Sequence, residues 1–76
     1  MKNTERIFNE IEDITIAAFL ALRSHKVTVL KYPDGRRVFE VQGDIARDIE
    51  NFYTNQPVGI KDYVSSLKWI QGQILP

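Results

Sequence analysis

KVTVLKYPDGRRVFEVQ, residues 26–42, decides the fold because it predicts a single β-hairpin. Successive side chains of a strand point to opposite faces, and β-branched and aromatic residues suit a pleated, half-buried surface. Between the strands, Pro33, Asp34 and Gly35 predict a turn: proline fixes φ, Asp can accept a backbone hydrogen bond from two residues on, and Gly adopts a positive φ. A lone hairpin is only marginally stable in water, so flanking helices must cover one of its faces.

The segment before the hairpin predicts a buried helix over residues 14–24 with Asp13 as its N-cap. Its apolar side chains spread so widely around the cylinder that most of the helix must be shielded from water. Three alanines, at positions 17, 18 and 21, leave room for another element to approach the helix closely.

Two segments after the hairpin predict amphipathic helices. Gly43 and Asp44 end the second strand and begin a helix over residues 45–54, and a final helix over residues 60–74 has Gly59 as its cap. Apolar side chains recur at steps of three and four residues, so each helix has one face turned toward the core. The predicted core positions are Ile45, Ile49, Phe52 and Tyr53, then Ile60, Tyr63, Leu67, Ile70 and Ile74, with Val64 beside them.

The predicted order is helix, strand, strand, helix, helix, which makes one α+β domain over residues 1–76. Its sheet is antiparallel and two-stranded, with the helices packed on one face. Residues 1–11 predict a frayed or extended lead-in, because Ile7 and Ile11 fit a helical spacing and, with Asn9 between them, also one side of a strand. The open edges of so small a sheet could pair across a dimer.

Composition excludes several classes of protein. The chain has 76 residues, no cysteine, and ten basic and ten acidic residues that cancel. Disulfides and thiolate chemistry are therefore absent, and net charge does not favour nucleic acid. No apolar run approaches the ~18 residues of a membrane span, and the start MKNTERIFNE lacks the apolar region of a signal peptide. We expect a cytoplasmic protein that does not enter membranes.

Four patterns cover about residues 12–74: D-x-x-x-A-A-F-L from Asp13, V-F-E-V from Val38, E-x-F-Y-x-N-x-x-V from Glu50 and Y-x-x-x-L-x-x-I from Tyr63. In them the chain resembles a family of short bacterial and phage proteins classed only as a domain of unknown function. Two departures from the family pattern stand out. The family tends to have glycine where this chain has Ser24, and often an acidic cap and proline at positions 59 and 60. The resemblance implies a small, non-catalytic accessory protein.

The hairpin is the most basic part of the chain. Residues 23–37 hold five cations and one acid, for a local charge of +4. A basic two-stranded ribbon can enter a major groove or follow phosphates, although cations are also ordinary on the wet face of a hairpin. The predicted nucleic-acid contacts are Arg23, Lys26, Lys31, Arg36 and Arg37.

Trp69 is the only tryptophan. At about 100° per residue it lies ~200° from Leu67, the centre of the core stripe of the last helix, and therefore faces outward. Tryptophan is enriched in interface hot spots, whereas a singly exposed apolar residue is also common. The predicted partner interface consists of Trp69 with Asp62, Ser65 and Gln73.

Little in the sequence points to catalysis. His25 is the only histidine, so the chain has no histidine cluster for a metal and no second imidazole for a proton relay. Its expected place is beside the C-terminal end of the first helix, where a cation is favoured. Ser65 and Ser66 have no neighbouring base in the sequence. We expect no enzyme, no metal and no cofactor.

Two hypotheses follow. The first is a protein–protein interaction or accessory module that acts as a homo-oligomer through Trp69 or an open edge of the hairpin. A dimer is expected because so thin a core favours association. The second is a nucleic-acid-binding accessory protein of phage or mobile-element type that uses the basic hairpin.

Overall fold

A computed structural model describes residues 7–74 of the chain. Three strands and three helices follow one another within these residues. They are β1 (Phe8–Ile11), α1 (Ile14–Leu22), β2 (Val27–Lys31), β3 (Arg37–Gln42), α2 (Ala46–Tyr53) and α3 (Ile60–Ile74). The strands form an antiparallel sheet in the order β1-β3-β2. The α+β class and the hairpin are confirmed.

The prediction of a two-stranded sheet is wrong, because the lead-in supplies a third strand. β1 pairs with the outer side of β3, and the amide of Gly43 donates to the carbonyl of Ile7 at 2.8 Å. The side-chain amide of Asn9 fixes the register by donating to the carbonyls of Val41 at 3.2 Å and Gly43 at 2.8 Å. Of the predicted lead-in over residues 1–11, residues 1–6 lie outside the described part of the chain.

The hairpin turn forms as the sequence predicts. Gly35 has a φ of +90°, and its amide donates to the carbonyl of Tyr32 at 2.9 Å. The side chain of Asp34 accepts from the amide of Arg36 at 2.9 Å, which is the local hydrogen bond expected of Asp in a turn. This turn sets the pairing of β2 with β3 from Val27 opposite Val41 onward.

Helix α1 forms a layer of its own between the sheet and α3. Its N-cap is Asp13, whose side chain accepts from the amide of Thr15 at 2.8 Å, as predicted. Helix α3 approaches it closely enough for the Ser66 hydroxyl to donate to the Ala18 carbonyl at 2.6 Å. The alanines therefore make room for a helix. One core extends over both sides of α1. It consists of Ile16, Ala17, Ala18, Leu20, Val27, Phe39, Val41, Ile45 and Ile70.

Two predicted core residues lie outside the core. Tyr53 is 71% exposed and Ile60 is 78% exposed, while Val64, predicted beside the stripe, is 41% exposed. Tyr53 and Ile60 are terminal residues of their helices, where no other element of residues 7–74 covers the face that the periodicity marks as apolar. Other positions of the two stripes do pack against the core, among them Phe52, Ile70 and the terminal Ile74.

Helix α1 ends at Leu22, two residues before its predicted end, in a Schellman turn. Ser24 has a φ of +73°, its amide donates to the Ala21 carbonyl at 3.0 Å, and the amide of His25 donates to the Leu20 carbonyl at 3.0 Å. A side chain at this positive φ is strained, and glycine would adopt the same conformation without a Cβ. The turn directs the chain from α1 straight into β2.

Ser24→Gly should therefore stabilise the protein, by about 0.5–1 kcal/mol, because glycine adopts this φ without a Cβ clash. The measurement is the free energy of unfolding from urea denaturation. Ser65→Gly is the matched control: Ser65 is exposed inside α3, where glycine should cost about 0.5 kcal/mol. Equal effects of the two substitutions would contradict the strain at Ser24.

Candidate functional site

A groove opens where the C-terminal end of α1, the start of β2 and the middle of α3 meet. We call it the Trp69 groove, and its volume is about 540 Å³. It is lined by Ala21, Leu22, His25, Lys26, Val27, Ser66 and Trp69. The lining is mostly apolar, and it exists because α1 ends at Leu22 while α3 continues past that level to Ile74.

The indole of Trp69 forms one wall of the groove and is 48% exposed. Asp62, Ser65 and Gln73, which the sequence groups with it, are exposed on α3 but do not line the groove. The predicted interface is thus only partly assembled, because Trp69 shares its surface with α1 and β2. A helical wheel describes one helix and could not show where α1 ends.

A polar cluster centred on Asp48 adjoins the groove. His25 donates from Nε2 to Asp48 Oδ2 at 2.7 Å, and Arg23 donates from Nε to Oδ1 at 3.2 Å. The amide of Asn51 lies 3.5 Å from the same Oδ1. His25 lies just after α1, as expected. Asp48 is partly buried and links α2 to the end of α1.

The environment of Asp48 shifts its pKa in two opposing ways. Burial raises the pKa of the carboxyl, but the hydrogen bond from His25 and the nearby charge of Arg23 outweigh it and hold the pKa below its ordinary value. The carboxylate is therefore ionised when it ties the two helices together. Its partner His25 already uses Nε2 in this bond, which gives the imidazole a structural task.

Asp48→Asn should destabilise the protein by about 1–2 kcal/mol near neutral pH, because it weakens hydrogen bonds made to a charged group. With a folded pKa below the unfolded value of about 3.9, Asp48 contributes stability above that pH and loses it as the pH falls through the folded pKa. Urea denaturation at several pH values should show a smaller loss of stability below about pH 4 in the variant. Glu50→Gln, on the exposed side of the same helix, should leave this acid dependence unchanged.

The five predicted nucleic-acid contacts do not share one surface. Arg23 is paired with Asp48, and Arg36 lies 3.5 Å from Glu12 and 3.9 Å from Asp34. The Arg36 guanidinium also stands over the Tyr32 ring, 4.7 Å from its centroid. The remaining three, Lys26, Lys31 and Arg37, are exposed and lie at the two ends of the hairpin.

Lys31 and Arg37 stand directly opposite each other in the β2–β3 ladder. Strand alternation places both on the side of the sheet that carries Val29 and Phe39, whereas Arg36 lies on the reverse side. Like charges that face each other across a ladder are destabilising. This pair is therefore the strongest cationic feature of the hairpin.

The reverse side of the sheet, away from α1, is acidic. Glu10 and Glu40 are opposite each other across β1 and β3, and Glu12 follows on the same side. The Tyr32 hydroxyl donates to Glu10 at 2.7 Å, and this hydrogen bond to a carboxylate raises the pKa of the tyrosine. On this side the carboxylates stand beside the cations Arg36 and Lys26, which they partly neutralise.

Within residues 7–74, no group of three His, Asp or Glu side chains is placed to hold a metal ion. In the same residues, no helix combines the length and apolar character that crossing a membrane requires. The Ser66 hydroxyl in the Trp69 groove is engaged with the Ala18 carbonyl. This hydrogen bond ties the middle of α3 to the backbone of α1.

Comparisons of the chain with protein-family models, curated proteins and solved structures found no match. The resemblance to the family of short bacterial and phage proteins stays a prediction.

Proposed function

We propose that this protein is a non-enzymatic interaction module that acts as a homo-oligomer through the surface around Trp69. The observation that carries the proposal is the half-exposed indole at the wall of an apolar groove built by α1, β2 and α3. A large rigid aromatic side chain beside a concave apolar surface has the composition of an interface hot spot. A cytoplasmic accessory role, of the kind that the family resemblance implies, belongs to the same proposal.

The polar groups around the groove support binding rather than catalysis. His25 is held by Asp48, and Ser66 is held by the backbone of α1. A nucleophile needs a base within hydrogen-bond reach, and both of these side chains use their hydrogen bonds to hold the fold together. The same bonds keep the groove walls rigid, which lowers the entropic cost of docking.

Trp69→Ser should lower the solution mass from that of a dimer to that of a monomer without unfolding the chain. Trp69 is not in the buried core, so its removal costs the interface more than the fold. Light scattering gives the mass and circular dichroism confirms folding. Val64→Ser is the matched control, since Val64 is 41% exposed on the same helix and lines a different depression. An unchanged mass for Trp69→Ser would remove the groove as the interface.

Nucleic-acid binding is the second candidate, and the facing cations Lys31 and Arg37 are the observation that favours it. A phosphate between them would relieve their repulsion. Arg37→Ala should then weaken binding to a mixed-sequence duplex and reduce the log–log salt slope by about 0.9 for each phosphate that the protein no longer neutralises. Arg36→Ala is the control, because Arg36 is already close to two carboxylates.

The readout is fluorescence anisotropy of a labelled duplex at several salt concentrations. Equal, small reductions in affinity for Arg36→Ala and Arg37→Ala would show that both arginines act only through general surface charge, which contradicts a specific phosphate contact at Arg37. No binding of the intact protein at low salt would exclude this candidate.

A further inference from the structure

The hairpin has one strand edge that nothing covers within residues 7–74. β3 is paired on both sides, by β1 and by β2, whereas β2 has β3 as its sole sheet neighbour in this part of the chain. Any pairing through the hairpin edge must therefore use β2.

The hydrogen bonds at the two ends of the ladder show which backbone groups are exposed. The amide of Gln42 donates to the carbonyl of Lys26, and the amide of Tyr32 donates to the carbonyl of Arg36. Because inward and outward groups alternate in an antiparallel ladder, Val27, Val29 and Lys31 direct their N–H and C=O groups away from β3. They form a regular row of donors and acceptors along the outer edge.

This edge has little protection against another strand. Natural proteins shield open edges with proline, bulges or charged side chains, and on β2 the one such feature is Lys31 at its end, while Val27 to Leu30 are uncharged and in an unbroken register. Its β-branched residues favour further pairing. The other edge strand, β1, has only four residues and carries Glu10 among its outward-directed backbone positions.

Resting on the homo-oligomer of the proposed function, we propose that β2 pairs antiparallel with β2 of a second copy about a two-fold axis at Val29. The two three-stranded sheets then become one continuous six-stranded sheet. An isologous contact of this kind closes on itself and leaves no β2 edge open for further chains.

The register centred on Val29 suits the charges of the strand. It sets Lys31 opposite Val27 of the second copy, Lys26 opposite Tyr32, and Thr28 opposite Leu30. No two like charges face each other, and it is the register that pairs β2 over its whole length. Two copies of a chain with zero formal net charge also have no overall repulsion to overcome.

The same register brings a second cation to the Trp69 groove, which Lys26 of the same chain already lines. Val27 lines the groove, and Lys31 of the second copy comes to lie beside it on the helix side of the sheet. A lysine over the face of a tryptophan is attracted by the ring, and the lysine stem covers apolar surface. The exposed indole and the open edge thus become parts of one interface.

Amide hydrogen exchange of the unaltered protein tests the pairing. At a total concentration about a hundred times the dissociation constant, roughly a tenth or less of the chains remain monomeric, so the amides of Val27, Val29 and Lys31 should exchange on the order of tenfold more slowly than in dilute solution. The amides of Thr28 and Leu30 already bond to β3, so they should be protected at both concentrations. Fast exchange of the outward amides in a sample that light scattering shows to be dimeric would overturn the β2 pairing and leave the proposed function standing.

Cysteine cross-linking gives a second, independent test, since the chain has no cysteine of its own. In this register positions 28 and 30 of the two copies form a non-hydrogen-bonded pair with Cα atoms about 4.5 Å apart, within disulfide reach. Thr28→Cys/Leu30→Cys should form a covalent dimer on oxidation. Thr28→Cys alone should not, because the two copies of position 28 lie more than about 7 Å apart.

The outcomes separate the two proposals. A covalent dimer from the double variant alone supports the register at Val29. Equal cross-linking of the single variant would overturn that register, and a monomeric unaltered protein at every concentration would overturn the homo-oligomer together with the β2 pairing. Exchange measurements on the unaltered protein decide between these outcomes if the double variant does not fold.

Discussion

The fold depends on the burial of the middle of α1, residues 16–20, on all sides. Leu20, Ala17 and Ala18 have no exposed surface, so a sheet on one side and α3 on the other must both be present. Apolar burial of this kind is the dominant favourable term in folding. The alanines bring α3 close, and the hydroxyls of Tyr63 and Ser66 then donate to carbonyls of α1. The three layers are therefore held by one central helix, and a disturbance of α1 would loosen them together.

The groove is a consequence of the same arrangement. Helix α1 stops at Leu22 because Ser24 takes a left-handed conformation, while α3 runs on past it and leaves Trp69 half exposed at that level. The chain then turns through His25, whose bond to Asp48 anchors this corner to α2. One turn thus ends the central helix, aims β2 and opens the groove. The Trp69 groove, which we propose as the binding surface, therefore forms where the central helix α1 ends.

Local signals were sufficient to predict the hairpin, its turn and the cap at Asp13, because each depends on residues adjacent in sequence. Features that depend on distant neighbours could not be predicted. The side-chain bond that holds β1 in the sheet joins Asn9 to Gly43, 34 residues away. The bond from His25 to Asp48 spans 23 residues and leaves no periodic trace. Tyr53 shows the same limit. Helical periodicity indicates that its face of α2 is apolar, but not whether another element reaches far enough to cover it.

Folding changes how charge bears on the two functional hypotheses for the hairpin. The sequence shows a segment of +4, but folding pairs Arg23 with Asp48, places Arg36 near two carboxylates and gives the reverse face of the sheet to glutamates. The cationic ribbon is thereby reduced to the facing pair Lys31 and Arg37 at one end and Lys26 at the other. The open edge of β2 carries one charge, Lys31 at its end, and the backbone groups directed outward from Val27 and Val29 can pair with another strand as well as with water. The strand pairing that we propose would engage those groups and the indole at once, which phosphate binding would not.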